Sequence, residues 1–156
     1  MSSRERTSSL PEFPLVARVR VRTYELDSFG HVNNAVYLQY LEEARSEYLR
    51  QMGLSFRDFS VHGVQIVIAE ATIRYLSPLR YGDSARIEGR ITALRPVSAN
   101  FEYRLIREDG EERIAEASTR GVFVRAESGR PTRAPQPFRE AFARFTGERS
   151  LTLDAE

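Results

Sequence analysis

One segment with helical periodicity lies within a series of segments that have strand periodicity. Between Asn34 and Met52, apolar residues recur every three or four positions, which is typical of a helix with one buried stripe. Asn33 or Asn34 is suited to cap the start of this helix, and Gly53 is placed to end it. The buried stripe consists of Tyr37, Leu41, Ala44 and Tyr48, broadened by Val36, Tyr40 and Leu49. One long helix among strands favours an α+β architecture.

Five other segments alternate between apolar and polar residues, as strands with one buried face do. The first strand is predicted from Phe13 to Arg22, before the helix. The remaining four are residues 67–75, 85–93, 101–105 and 115–123, with a hairpin turn at Asp109-Gly110. We expect an antiparallel sheet that curls around the helix, with room provided by small inner-face residues: Ala69, Ala71, Ala85, Gly89, Ala115 and Gly121. Such a sheet has open edges, so at least a dimer is expected.

The length of 156 residues fits a single core. Residues 1–12 are polar and are predicted to form a flexible arm, residues 13–127 the folded domain, and residues 128–156 a tail with a short helix, residues 136–145. The N-terminus has no apolar segment behind its charges, so we expect no secretory signal and a cytoplasmic location. No apolar run reaches the roughly 18 residues of a membrane span.

The composition excludes several kinds of chemistry. The sequence has no cysteine, and all 23 basic residues are arginine. Disulfides, thiolate nucleophiles, Schiff bases and P-loop lysines are therefore excluded. The two histidines, His31 and His62, are too few for an ordinary zinc site, so we expect no metal and no cofactor. The 22 acidic residues are interleaved with the arginines, and a nucleic-acid partner is not expected.

The loop before the helix, residues 27–34, concentrates residues that can carry chemistry: a carboxylate, a glycine, a histidine and two asparagines. Unpaired N–H groups in the first turn of a helix can polarise a carbonyl oxygen as it becomes an oxyanion. Asp27 could act on that carbonyl as a nucleophile or as a base for a water. Alternatively, the aspartate only forms a turn, Gly30-His31 is only a bend, and the asparagines only cap the helix.

Other candidate residues have simpler interpretations. Glu42 and Arg45 lie three residues apart, which predicts a surface ion pair, although a helix carboxylate that faces a pocket could act as a base. His62 is expected to be a loop histidine. Aromatic residues could line a tunnel or pack the core: Tyr37, Tyr40, Phe56 and Phe59.

The segment from Tyr24 to Tyr37 contains the string Asp-x-x-Gly-His-Val-Asn-Asn-x-x-Tyr, followed by Glu-x-Ala-Arg at residues 42–45. This combination resembles the signature of the hotdog-fold thioesterases of the 4-hydroxybenzoyl-CoA and acyl-ACP kinds. The turn at residues 78–83 is similar to the family's turn between its second and third strands. The resemblance implies a hotdog fold, in which five or six antiparallel strands wrap a long central helix, and hydrolysis of an acyl-CoA or acyl-carrier-protein thioester without a metal.

The resemblance also implies roles for individual residues. Asp27 matches the family's catalytic aspartate, and Asn34 matches the residue whose backbone N–H polarises the thioester carbonyl. His31 matches a histidine of plant acyl-ACP thioesterases, but Phe29 stands where those enzymes have asparagine, so His31 either assists by hydrogen bonding or only shapes the loop. The further positions expected to contact substrate are Gly30, Asn33 and Tyr37.

The family further implies a homodimer or homotetramer, with the pocket at the subunit interface and arginines at its mouth for the phosphates of CoA. Two alternatives remain. One is a non-catalytic module that binds or senses acyl-CoA, in which Asp27 only orders the loop. The other is a hotdog dehydratase or hydratase, although the usual motif of those enzymes is not apparent. Because a loop residue carries little core packing, Asp27→Ala is expected to abolish turnover and leave the fold intact.

Overall fold

The computed structural model describes residues 12–145, in which five antiparallel strands form one sheet against a long helix. The elements are β1 (Leu15–Arg20), a 3₁₀ turn (Thr23–Glu25), α1 (Val36–Gln51), α2 (Phe56–Val61), β2 (Val64–Tyr75), β3 (Ser84–Arg95), β4 (Ser98–Arg107), β5 (Arg113–Arg125) and α3 (Gln136–Arg144). The predicted α+β fold is confirmed. Residues 1–11 of the predicted arm lie outside the described part of the chain. None of the helices within residues 12–145 is long and apolar enough to cross a membrane.

The short helix α2 was not predicted, although its start carries a capping signal. The Ser55 side chain accepts a hydrogen bond from the Asp58 N–H, and the Asp58 carboxylate accepts one from the Ser55 N–H at 2.7 Å. This reciprocal pair satisfies two amides that a helix start leaves without partners. A Ser-x-x-Asp spacing in the link was therefore a usable sign of a helix.

The strand order in the sheet is β1-β3-β4-β5-β2. β2 lies at one edge of the sheet, where it pairs with β5. The next strand in sequence, β3, lies near the opposite edge beside β1, so the chain crosses the sheet between β2 and β3. The strands β3, β4 and β5 pair with their neighbours in sequence. A turn, residues 76–83, connects the end of β2 to the start of β3. This turn contacts the loop before α1, where Arg80 forms a bridge with His31.

A bulge in β2, between Ile68 and Glu70, adds one residue to the strand. Because neighbouring residues of a strand face opposite sides, the extra residue reverses the alternation. Ile68 and Ala71 thus share one face, and Ile68 lines a cavity beside α1. Val67 lies on the other face and is 48% exposed. The expectation that Val67, Ala69 and Ala71 share a single inner face is wrong for this reason.

The helix α1 packs closely against the sheet at Gly89 of β3. A Cβ atom on Gly89 would lie 2.4 Å from Cε2 of Tyr48, so a larger residue would collide with the ring. Tyr48 is fully buried, and its hydroxyl donates to the carbonyl oxygen of Ile87 at 2.8 Å. Its ring stacks on Tyr103 with the ring centres 6.2 Å apart. The predicted role of Gly89 in making room for the helix is confirmed.

The helix α3 packs into the same hydrophobic core as the sheet. Phe138 and Phe142 are fully buried. The ring centre of Phe138 lies 4.3 Å from that of Phe59, and Phe142 contacts Phe101 edge to face at 6.1 Å. The predicted short helix is confirmed within a residue at each end. Its description as part of a tail does not match this packing, because its apolar face is buried in the core.

Candidate functional site

The loop from residue 26 to residue 34 folds back on itself between the 3₁₀ turn and α1. The Asp27 N–H donates to the His31 carbonyl oxygen at 2.7 Å, and the Gly30 N–H donates to the Asp27 carbonyl oxygen at 3.1 Å. Leu26 and Val32 form an isolated antiparallel bridge that closes the loop. Gly30 has φ of 81°, in the left-handed region that glycine adopts without strain. Gly30 therefore makes the bend, and its contact with substrate stays a prediction.

The Asp27 carboxylate is exposed and orders this loop. Its Oδ1 atom accepts hydrogen bonds from the N–H groups of Phe29 at 2.9 Å and His31 at 3.1 Å. The bonds from His31 and Phe29 stabilise the charged form and lower the pKa of Asp27 below its usual value. The aspartate thus forms a turn, and it is ionised at neutral pH. Within the described part of the chain, Oδ2 has no hydrogen-bond partner, so one carboxylate oxygen remains available to a substrate.

At the start of α1, one amide has no partner within the part of the chain that the structure describes. The Ala35 N–H donates to Asn33 Oδ1 at 2.8 Å, and the Val36 N–H donates to the Asn33 carbonyl oxygen at 2.9 Å. The Tyr37 N–H donates to the Asn34 carbonyl oxygen at 3.3 Å. The Asn34 N–H has no acceptor among residues 12–145. Asn33 therefore satisfies these two amides from the turn before the helix, and α1 begins at Val36, two residues later than the earliest predicted start. The N-cap position is Ala35, so the prediction of Asn33 or Asn34 as the cap is wrong by one or two residues.

The direction of that amide follows from the peptide bond. The Asn33–Asn34 bond is trans, so its N–H and C=O groups point in opposite directions. The C=O group is bonded to the Val36 N–H inside the helix. The Asn34 N–H therefore points away from the helix at its N-terminus, where the backbone carries partial positive charge.

The last residue of β2 and the turn that follows it hold this loop from the side of the sheet. Three hydrogen bonds join them: Tyr75 hydroxyl to Asn34 carbonyl oxygen at 3.0 Å, Val32 N–H to Leu79 carbonyl oxygen at 2.8 Å, and Arg80 Nη2 to His31 Nε2 at 3.2 Å. Because a guanidinium only donates, Nε2 of His31 is the acceptor of this bond. His31 is thus tied through Arg80 to residues 78–83, the turn that resembles the family's turn between its second and third strands.

The turn is itself fixed to the sheet by Arg107 at the end of β4. The Arg107 guanidinium donates to the Pro78 carbonyl oxygen at 2.8 Å, to Glu112 at 2.9 Å and to the carboxylate of Asp83. The Asp83 carboxylate also accepts the Arg80 N–H at 2.8 Å. A chain of hydrogen bonds therefore leads from the sheet through the turn to the loop that carries Asp27.

Beneath the loop, Glu25 is a charged anchor that sequence reasoning missed. Its side chain is buried, and it accepts hydrogen bonds from the Tyr40 hydroxyl at 2.7 Å and the Arg22 N–H at 2.9 Å. Its carbonyl oxygen accepts the Asn33 N–H at 2.8 Å. Burial and the bond to Glu25 raise the pKa of Tyr40 well above its usual value. The loop thus packs on a buried carboxylate whose oxygens accept hydrogen bonds. No periodic pattern in the sequence indicated this residue.

Two predicted residues on α1 lie in different surroundings. Tyr37 is buried, with its ring 5.8 Å from Tyr40 and 5.0 Å from Tyr75 between ring centres, and its contact with substrate stays a prediction. Arg45 is partly buried and donates to the Tyr103 hydroxyl at 3.1 Å. Among the described residues Arg45 forms no ion pair, so the expected pair with Glu42 is wrong, because the arginine turns toward the sheet.

A mostly apolar groove runs between the helices and the edge strand β2. One cavity of about 260 Å³ is lined on the helix side by Glu42, Arg45, Ser46 and Leu49 and on the sheet side by Ile66, Ile68, Phe101 and Gly121. Phe56 and Ile66 line both this cavity and a second one of about 400 Å³, which Phe59 and Val64 also line. Phe59 is buried, as expected for a core residue, whereas Phe56 is exposed. The groove can hold an apolar group beside α1.

Comparison with known proteins places the chain in a family. It matches the thioesterase-like superfamily over residues 21–142. It is 36% identical over 128 residues to the acyl-acyl carrier protein thioesterase ATL3 of Arabidopsis thaliana, which covers 81% of this chain and 66% of the plant protein. It is 32% identical over 100 residues to the long-chain acyl-CoA thioesterase FadM of Escherichia coli, covering 64% of this chain and 75% of that protein. The chain thus spans about two thirds of the plant relative's length.

The fold agrees with that family. The chain superposes on the crystal structure of a DHNA-CoA thioesterase from Staphylococcus aureus with a TM-score of 0.79 over 83% of this chain and 89% of that one. The two are 19% identical, so this likeness concerns the fold alone. The superfamily match includes the loop with Asp27, all of α1 and the strands β2 to β5. The chain belongs to the thioesterase-like superfamily, with the hotdog fold.

Proposed function

We propose that the protein hydrolyses acyl thioesters of CoA or of acyl carrier protein, with Asp27 as nucleophile or general base and the Asn34 N–H as oxyanion donor. The observation that carries the proposal is the pattern of hydrogen bonds at the start of α1. The amides of Ala35, Val36 and Tyr37 are satisfied, and the Asn34 N–H is unpaired among residues 12–145. An ionised carboxylate with a free oxygen lies on the same loop.

Attack on the thioester carbon moves a pair of electrons onto the carbonyl oxygen, and the Asn34 N–H stabilises the oxyanion that forms. In one route, Asp27 attacks to give a mixed anhydride and a free thiolate, and water then hydrolyses the anhydride. In the other, Asp27 takes a proton from a water that attacks directly. Because a thiol has a pKa of about 8.5, the thiolate leaves without a general acid. His31 either assists by hydrogen bonding or shapes the loop.

We propose in addition that a second copy of the chain completes the site, in a homodimer or homotetramer. The strand β2 lies at the edge of the sheet, and Val67 and Tyr75 are about half exposed there. Asp27 is open to water in the single chain. The Asn34 N–H stabilises the oxyanion most when water is excluded from the site. A second subunit that covers Asp27 and the groove therefore favours catalysis. In such an assembly Gly30, Asn33 and Tyr37 would border the substrate.

The experiment compares two substitutions of Asp27. Asparagine keeps an Oδ1 acceptor for the Phe29 and His31 amides but removes the charge, whereas alanine removes both. Asp27→Asn is expected to lower kcat for acyl-CoA by about 10²- to 10⁴-fold with an unchanged thermal unfolding curve. Asp27→Ala is expected to lose activity and also to loosen the loop. Thiol release is followed with a chromogenic thiol reagent, with Ser28→Ala as the control in the same loop.

The same assay separates the alternatives. Near-normal turnover by a folded Asp27→Asn variant would assign the base to another carboxylate. Binding of acyl-CoA without thiol release by the wild type would favour a sensing module, and water addition to an enoyl-CoA would favour a hydratase. Comparison of kcat/KM for the same acyl group on CoA and on carrier protein identifies the thiol that presents the substrate.

A further inference from the structure

Tyr75, the last residue of β2, connects the edge of the sheet to the start of α1. Its hydroxyl donates to the Asn34 carbonyl oxygen at 3.0 Å. Its ring meets the buried ring of Tyr37 edge to face, with the ring centres 5.0 Å apart and an interplanar angle of 80°. Tyr75 is 46% exposed, so it borders the open side of the loop rather than the core.

The bond from Tyr75 acts on the residue that carries the oxyanion donor. The peptide before Asn34 supplies the N–H, and its carbonyl group is bonded to the Val36 N–H at 2.9 Å. The peptide after Asn34 supplies the carbonyl oxygen that Tyr75 binds. Hydrogen bonds on both peptides fix the backbone of Asn34, and this fixes the direction of its N–H. A donor that is already aligned costs no reorganisation when the oxyanion forms.

The helix alone holds this second peptide weakly. The Tyr37 N–H reaches the Asn34 carbonyl oxygen at 3.3 Å, beyond the 2.7–3.2 Å of a good N–H···O bond. The hydroxyl of Tyr75 therefore supplies the closer of the two hydrogen bonds to this oxygen. It does so from a different element, 41 residues away in sequence.

We propose that Tyr75 is a positioning residue for thioester hydrolysis, which holds the Asn34 N–H in the direction that receives the oxyanion. This inference rests on the proposed function of Asn34. Tyr75 acts through Asn34. Loss of its hydroxyl should raise the free energy of the transition state, and so lower kcat, without weakening substrate binding.

Tyr75→Phe tests this role because it removes the hydroxyl and keeps the ring on Tyr37. We expect kcat for acyl-CoA to fall about tenfold, less than the 10²- to 10³-fold loss of a direct oxyanion donor, with KM within about twofold. Tyr81→Phe is the matched control, because Tyr81 is 64% exposed in the following turn and its hydroxyl has no hydrogen bond to any residue from 12 to 145. The control is expected to keep the wild-type kcat.

Amide hydrogen exchange gives a second readout that needs no substrate. In Tyr75→Phe the Tyr37 N–H should exchange several times faster, because the carbonyl it binds is less fixed, while amides in the centre of β3 keep their rates. Unchanged exchange with unchanged kcat overturns the role of Tyr75, and so does a loss that lies mainly in KM. If the wild type hydrolyses no acyl thioester, the proposed function fails and this role fails with it. An active wild type with a fully active Tyr75→Phe variant overturns only the role of Tyr75.

Discussion

Replacement of Gly89 by alanine is expected to destabilise the protein where α1 meets the sheet. The new Cβ would lie 2.4 Å from Cε2 of Tyr48, against roughly 3.5–4.0 Å for a normal carbon contact, so the ring has to move by more than about 1 Å. The ring has little room to do so, because it stacks on Tyr103 and its hydroxyl binds the Ile87 carbonyl oxygen. Overpacking of a core costs about 1–3 kcal/mol, and a strained buried hydrogen bond adds about 1 kcal/mol.

Alanine also removes the entropic disadvantage of a strand glycine, which offsets about 0.5–1 kcal/mol. The net expectation is a free energy of unfolding lower by about 1–3.5 kcal/mol, measured by urea denaturation. Gly121→Ala is the control. Its Cβ would lie 2.7 Å from Cγ2 of Ile66, a branch methyl on a side chain that borders a cavity and can rotate toward it, so the cost should be lower than at Gly89 and stay below about 1.5 kcal/mol. A loss below about 0.5 kcal/mol for Gly89→Ala would refute the reasoning.

Two further outcomes are expected. The bonds from His31 and Phe29 lower the pKa of Asp27, so its carboxylate stays ionised as the pH falls and is protonated only below the usual aspartate range of about 3.9. The acid limb of kcat/KM should lie below that range, checked at each pH by circular dichroism; a limb near neutrality would assign the titration to another group. Gln51→Ala removes a side chain whose amide donates to the Val16 carbonyl oxygen and accepts the Val16 N–H at 3.3 Å on the open edge of β1. Urea denaturation should show a loss of about 1–2 kcal/mol, and an unchanged midpoint would contradict this role.

Much of the fold follows from local patterns in the sequence. Helical spacing identified α1, and alternation identified the strands, because each pattern reports which side of an element is buried. The need for glycine at position 89 was also predictable, since a small residue in the middle of a strand marks a close approach. Asp27, His31 and the asparagines stood out because one short segment before a helix holds several reactive residue types.

The sequence by itself determined the elements and the loop in which the candidate chemistry lies. Tertiary structure decided the rest: the edge position of β2, the bulge after Ile68, the burial of α3 and the hydrogen bond from Tyr75 to Asn34. The reason is physical. Periodicity describes one element and its buried side, whereas strand order, register and contacts across 41 residues depend on how elements pack against one another. The turn made by Asp27 likewise exists only once that packing has fixed the loop, and so does the direction of the Asn34 amide, which has no acceptor within the described residues 12–145.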